Sequence, residues 1–230
     1  FIWAPGRVFV EDPARVNTAD APQVIATALR QRLSEVKREV LVESPYFVLG
    51  ERAIEGTQQL TARGVKVRVL TNSAASSDVM PAQAGYANTR MQLLQAGVEL
   101  YELRPDSNMK KVWSLLAGKS LAALHAKSLV FDRQSVWIGS FNLDPRSTAL
   151  NTEIGVMIDS PVIASQVAEI MDEGVSPGSA FHVTLNTNKD LVWTAENDGE
   201  KVEYYIDPGT SLWHRFKTGV LRLLPIEDQL

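Results

Sequence analysis

The chain contains no cysteine, which excludes disulfide bonds and thiolate chemistry but leaves the compartment open. No apolar run approaches the roughly 20 residues a helix needs to cross a bilayer, so any membrane contact is expected to be peripheral, with a cytoplasmic setting equally allowed. Basic residues are neither in excess nor clustered: 23 Lys and Arg are scattered among 27 Asp and Glu, for a net charge of -4. A nucleic-acid binder draws much of its affinity from neutralising phosphates, so this balance weighs against a nucleic-acid partner, although a local groove can hide in an acidic average. Histidine is scarce too, with 3 in the whole chain: His125, His182 and His214.

What is present is a chain of 230 residues with 45% hydrophobic content, enough for one large core or one core with a small appendage. Helical periodicity runs over Ala21 to Lys37, where Val24, Ile25, Ala28, Leu29, Leu33 and Val36 share a face. Strands are expected over Glu39 to Val48, Val65 to Thr71, Val98 to Leu103 and Thr152 to Asp159, alternating with helices over Gly50 to Ala62, Pro81 to Ala96 and Pro161 to Met171. Such alternation predicts an α/β fold, a mixed β-sheet flanked by helices on both faces, spanning residues 21–176.

Residues 1–20 read as a connector into that lobe. After the break Gly174-Val175-Ser176-Pro177-Gly178, short strands separated by Asn- and Gly-containing turns predict a small antiparallel appendage over 177–230. Its last segment, Ser211 to Leu224, puts Trp213, Phe216, Val220 and Leu224 on one helical face and Arg215, Lys217 and Arg222 elsewhere. An interfacial helix would look like this. Packing into a core is the expectation here, because soluble amphipathic helices are common and this basic cluster is small.

The chemistry concentrates between residues 125 and 142, where His125, Lys127, Asp132, Gly139, Ser140 and Asn142 spell H-x-K-x4-D-x6-G-S-x-N. Each residue alone has an ordinary reading: a core or surface histidine, a solvated lysine, a turn aspartate. Jointly they fit phosphodiester chemistry. Leu124 to Phe131 has strand composition, and a period of two places His125, Lys127 and Leu129 on one face. A returning strand, Val136 to Phe141, would bring Ser140 and Asn142 back to the same end, with Gly139 allowing backbone to approach a ligand. The product would be a nucleophile, a cation, a hydroxyl and an amide arranged around a phosphate. Asp132 sits in the intervening turn, where it can anchor the hairpin or serve the site.

This segment resembles the HKD signature of the phospholipase D superfamily. The run GSFNLDPRSTALNTE (139–153), together with VESPYF, RGVKVRVLTNS and QAGVELYEL upstream, is similar to the cardiolipin synthase branch in order and spacing. The resemblance implies His125, Lys127, Asp132 and Glu153 as catalytic residues. Lys127, Ser140 and Asn142 would bind phosphate, and Glu153 would steady the His125 tautomer. It implies phosphatidyl transfer through a phosphohistidine on a phospholipid substrate at a membrane surface, with no cofactor and no metal.

One departure stands out. Family members usually carry two such motifs, whereas His182 is followed by Val183-Thr184 and His214 by Arg215-Phe216. The missing partner is expected to be an N-terminal HKD lobe or a second copy of this chain. Hydrolysis as a phospholipase or nuclease, and a silent lobe that only supports a partner, are the competing readings. Gly118-Lys119-Ser120 echoes a P-loop ending, but Trp113 stands where its leading glycine belongs. Asp78 follows a serine-rich loop and is expected to be structural or solvent-exposed.

Overall fold

The computed structural model describes residues 1–13, 23–107 and 124–222. The Gly118-Lys119-Ser120 segment, the start of the first expected helix at Ala21 and the apolar Leu224 lie outside the described residues. In chain order the first half contains β1 (Gly6–Val10), α1 (Val24–Glu35), β2 (Glu39–Glu43), α2 (Glu51–Ala62), β3 (Lys66–Asn72), α3 (Met80–Gln95) and β4 (Glu99–Leu103). The motif region contributes β5 (Ser128–Phe131), β6 (Ser135–Gly139), α4 (Pro145–Ala149), β7 (Ile154–Asp159) and α5 (Pro161–Gly174). Last come β8 (Ala180–Leu185), β9 (Leu191–Asn197), β10 (Glu200–Tyr204) and α6 (Leu212–Leu221).

Strand alternation sets the layers. In β2, Val40 and Val42 face one side and join Ile25 and Leu29 of α1, Ile54 and Leu60 of α2, and Tyr86 and Leu93 of α3. Leu41 faces the other side and joins Val130, Val136 and the α5 residues Ala164, Ala168 and Met171. Helices therefore cover both faces of a mixed sheet, as the alternating pattern predicted. Glycines with positive φ, Gly64 (81°) and Gly97 (82°), release the chain from α2 and α3 into the next strands. Ser160 caps α5 by accepting from the Ile163 N–H, with Pro161 in the first turn.

The strand order is β1-β7-β6-β5-β2-β3-β4-β8-β9-β10, with parallel pairing only at β2–β3 and β3–β4 among these strands. This order adds to the sequence reading at both ends. The expected connector is partly a strand: β1 pairs antiparallel with β7, and Phe9 packs tilted on Trp137 at 5.7 Å. The C-terminal strands form the expected antiparallel extension, and β8 pairs with β4 so that they continue the same sheet. An unpaired edge offers a row of N–H and C=O groups, and β8 satisfies them.

A buried polar network locks this extension in place. Glu102 of β4, with no exposed surface, accepts from Tyr86 Oη of α3 (3.0 Å) and Trp193 Nε1 of β9 (2.9 Å). It also forms an ion pair with Arg90 (3.1 Å), whose guanidinium reaches Asp207 at 3.1 Å. Burial pushes the Glu102 carboxyl upward, against the pull of Arg90. Removing one partner of such a pair typically costs about 3–5 kcal/mol.

The terminal helix departs from expectation most clearly. Leu212 (80%), Trp213 (62%), Phe216 (62%) and Val220 (46%) are exposed rather than packed in the core. The helix lies along α3, with Arg222 Nε donating to Asn88 Oδ1 at 2.8 Å.

Candidate active site

Strand direction gathers the site. Parallel β2, β3 and β4 finish at one end of the sheet with Glu43, Asn72 and Leu103. Antiparallel β5 must enter from that end, so its lead-in Leu124 to Lys127 arrives there; β6 finishes there at Gly139 and β7 begins there at Ile154. Regular pairing starts only at Ser128, four residues later than the composition predicted.

Asn72 holds the lead-in. Its buried side-chain amide accepts from Leu124 N–H through Oδ1 (2.9 Å) and donates through Nδ2 to Leu124 O (3.1 Å). The next residue, His125, is exposed, while Lys127 is buried. Lys127 Nζ donates to His125 O at 3.0 Å and stands 3.5 Å from Nδ1 of the same imidazole. That second contact is long for a hydrogen bond, but it sets the ammonium beside the ring. Burial pulls the Lys127 ammonium below its ordinary value, and the nearby carboxylates Glu153, Asp144 and Asp78 oppose that pull.

The other phosphate-binding candidates arrive on the strand that returns. Ser140 N–H donates to Ile154 O at 2.8 Å, fixing the residue against the start of β7. The Ser140 hydroxyl donates to Glu153 Oε2 and accepts from Ile154 N–H at 3.0 Å. Asn151 Nδ2 donates to Glu153 Oε1 at 3.2 Å. The carboxylate is thus occupied by Ser140 and Asn151, and no hydrogen bond joins it to the His125 ring among the described residues. Its link to the His125–Lys127 pair is electrostatic, through Lys127.

Asn142 N–H donates to Ser147 Oγ at 3.3 Å, and its buried Oδ1 lacks a hydrogen-bond partner among the described residues. Asp144 caps α4 by accepting from Ser147 N–H at 2.6 Å. The segment after β2 is stitched to this loop: Leu143 N–H donates to Ser44 Oγ (3.2 Å), and Val48 N–H donates to Leu143 O (2.8 Å). Tyr46, within that segment, donates its hydroxyl to Asp78 at 3.0 Å. Partial burial, Asp78 and Asp144 together push the Tyr46 phenol up to about 12.

Asp132 takes the hairpin-anchoring alternative, and Gly139 differs from its ligand-approach reading. Asp132 lies past the far end of β5, five residues and about 16 Å of strand from Lys127 at the usual rise of 3.3 Å per residue. It adopts φ 52° beside Arg133 at 55°, in a turn closed by Gln134 N–H donating to Phe131 O (2.9 Å). Its carboxylate accepts the N–H groups of Lys37 (2.9 Å), Arg38 (2.7 Å) and Glu39 (2.9 Å). Partial burial would raise its pKa, but those three N–H groups and Arg38 hold it below the usual range. Here the aspartate joins the hairpin to β2.

Gly139 does permit a close approach, but to backbone rather than to a ligand: a Cβ there would stand 2.5 Å from Ile154 O. Its register partner Gly155 leaves room for the Trp137 ring. His182 is stacked on Tyr101 at 4.6 Å along β8 and β4, and burial lowers its pKa. The His214 side chain lies outside the described residues.

Sequence reasoning missed Asn72 and Tyr46. Asn72 stands in the quoted run RGVKVRVLTNS at a strand terminus, the signal that could have singled it out.

Comparison with known proteins places the chain. Residues 29–174 match the family described as cardiolipin synthase, PLD-like domain. Cardiolipin synthase C of Escherichia coli (strain K12) is 34% identical over 229 residues, covering 98% of this chain and 48% of that protein. The chain thus spans about half the length of such relatives. Among solved structures, the phospholipase D family member Nuc from Salmonella typhimurium superposes with a TM-score of 0.53 at 17% identity, over 74% of this chain and 93% of that one. NucT from Helicobacter pylori gives 0.53 at 14% identity, over 76% and 98%. The chain belongs to the phospholipase D superfamily, in its cardiolipin synthase-like branch.

Proposed function

We propose that this chain is one lobe of a cardiolipin synthase-type phosphatidyltransferase, completed by an N-terminal HKD lobe or by a second copy of itself. The observation that carries the reading is the pairing of an exposed imidazole, His125, with the buried ammonium of Lys127, on a lead-in that Asn72 clamps. An exposed imidazole can meet a lipid phosphate. A partly desolvated ammonium beside it interacts strongly with phosphoryl oxygens, because less solvent screens the charge.

In this reading one histidine attacks the phosphorus of phosphatidylglycerol, forming a P–N bond as the P–O bond to glycerol breaks. The opposing histidine gives its proton to the departing glycerol oxygen. That second histidine then takes the proton from a hydroxyl of another phosphatidylglycerol, whose oxygen attacks the phosphohistidine and displaces the first imidazole. The products are diphosphatidylglycerol and glycerol. Lys127 and its counterpart offset charge on the transferring group, while Asn142 bonds its oxygens and Ser140 joins it when its hydroxyl turns from Glu153 to the phosphate. Glu153 positions the Ser140 hydroxyl and supports the charge on Lys127. Asp132 serves through the hairpin.

Product analysis tests the reaction class. Phosphatidylglycerol in mixed micelles should yield diphosphatidylglycerol and glycerol. Phosphatidic acid as the sole lipid product would assign water as the acceptor and make the lobe hydrolytic.

A further inference from the structure

The helix α6 is amphipathic in the reverse sense. On an ordinary surface helix the apolar stripe faces the core and the charged face meets water. Here the partly covered positions, Arg215, Thr218 and Leu221, recur at helical spacing, while Leu212, Trp213, Phe216 and Val220 form the stripe turned outward. The outward rings form a unit: Trp213 and Phe216 stack at 5.6 Å with a 13° interplanar angle. Lys217 Nζ sits 5.0 Å from the Trp213 ring centre.

Charge identifies the occupant. The chain carries a net charge of -4, yet residues 208–222 contain Arg215, Lys217 and Arg222 and no Asp or Glu. An apolar stripe bordered by cations on a short helix suits an anionic bilayer interface, where the rings enter the headgroup boundary and the cations meet lipid phosphates. Position agrees with this. A Cβ on Gly209, in the turn that launches α6, would stand 3.0 Å from Ala75 Cβ and 3.7 Å from Pro105 Cγ. Both residues belong to loops leaving β3 and β4 at the end of the sheet where His125 lies.

We infer that the outward face of α6 is a docking surface for an anionic phospholipid bilayer, holding the site end of the sheet at the headgroups that the proposed reaction uses. The surface rests on the phospholipid reading only for its purpose; its binding is measurable without turnover.

The test is co-sedimentation of the full chain with vesicles of phosphatidylglycerol and phosphatidylcholine, and with phosphatidylcholine alone. The expected result is binding to the anionic vesicles with a blue shift of tryptophan emission. Trp213→Ala/Phe216→Ala should weaken it by at least roughly tenfold. Alanine keeps the helix and these rings are exposed, so the melting temperature should hold. Lys217→Glu should weaken binding to the anionic vesicles only. Unchanged binding by the double variant, equal binding to both vesicle types, or a wild-type dimer that the double variant dissolves without any vesicle binding would each overturn the inference. Turnover of a short-chain, monomeric phospholipid, by the chain alone and with an N-terminal HKD lobe supplied, keeps the two proposals apart: the double variant should retain whatever turnover wild type shows, and its absence from wild type in both settings would fault the catalytic reading instead.

Discussion

Asn72 closes two hydrogen bonds on Leu124, through Oδ1 at 2.9 Å and Nδ2 at 3.1 Å, and so fixes the backbone one residue before His125. The clamp joins the end of β3 to the entry of β5 across the intervening β2. Asn72→Ala leaves two buried backbone groups unpaired, at a cost of about 1–3 kcal/mol. Thermal unfolding should show that loss. The kcat should fall by at least roughly tenfold, since a misplacement near 1 Å can cost a hundredfold. A variant with lowered stability but unchanged kcat would show that the clamp does not set the His125 position.

Glu153 is foremost among the carboxylates that oppose the desolvation of Lys127. Removing its charge should therefore lower the Lys127 pKa further. In 13C NMR titration of the lysine side chains, Lys127 should titrate below the ordinary lysine range in the wild type and lower still in Glu153→Gln. An upward shift in the variant would reverse the assignment.

Asp132 accepts three backbone N–H groups at the head of β2, and its folded carboxyl is more acidic than an unfolded one. The sign follows from linkage: its contribution is fully present above the unfolded value near ~3.9 and disappears as pH falls through the lower folded value. Asp132→Ala should cost roughly 1–2 kcal/mol at neutral pH. The gap to wild type should begin to narrow below about pH 4 and shrink progressively as pH falls. Denaturant melts at pH 7 and at pH 3 read this directly. A gap as wide at pH 3 as at pH 7 would place the stabilisation elsewhere.

Much of this fold was legible because period and punctuation agree. Val40, Val42 and Leu41 alternate as a two-faced strand requires, and Gly64 and Gly97 stop α2 and α3 where the pattern breaks. What escaped the sequence depends on partners far along the chain. β1 is short, with Pro5 just before it and Pro13 three residues past its end, and its strand character comes from pairing with β7. Nothing local tells β8 to join β4 rather than form its own sheet. For α6 the apolar stripe was visible, but its direction was not, since a helical wheel does not reveal which side meets α3.

The site divides in the same way. His125, Lys127, Ser140 and Asn142 were found by spacing and Glu153 by the family resemblance, and strand direction brings them to one end of the sheet. Asp132 shares their motif yet sits at the opposite end of β5, in the turn where the hairpin reading put it, and its three backbone partners show only in the fold. Gly139 was read for a ligand and instead gives space to β7, a constraint set by its register partner Gly155. Asn72 and Tyr46 act through contacts to Leu124 and Asp78, which only the fold reveals.

The central claim is that His125 performs chemistry on a lipid phosphodiester. The most direct measurement is turnover of phosphatidylglycerol in mixed micelles by wild type and by His125→Ala, each alone and each with an N-terminal HKD lobe supplied. The account predicts diphosphatidylglycerol formation in at least one setting, and a fall of about 10²–10⁴-fold or more in the variant at unchanged melting temperature. Equal turnover by a folded His125→Ala chain, or no turnover in either setting, would contradict it.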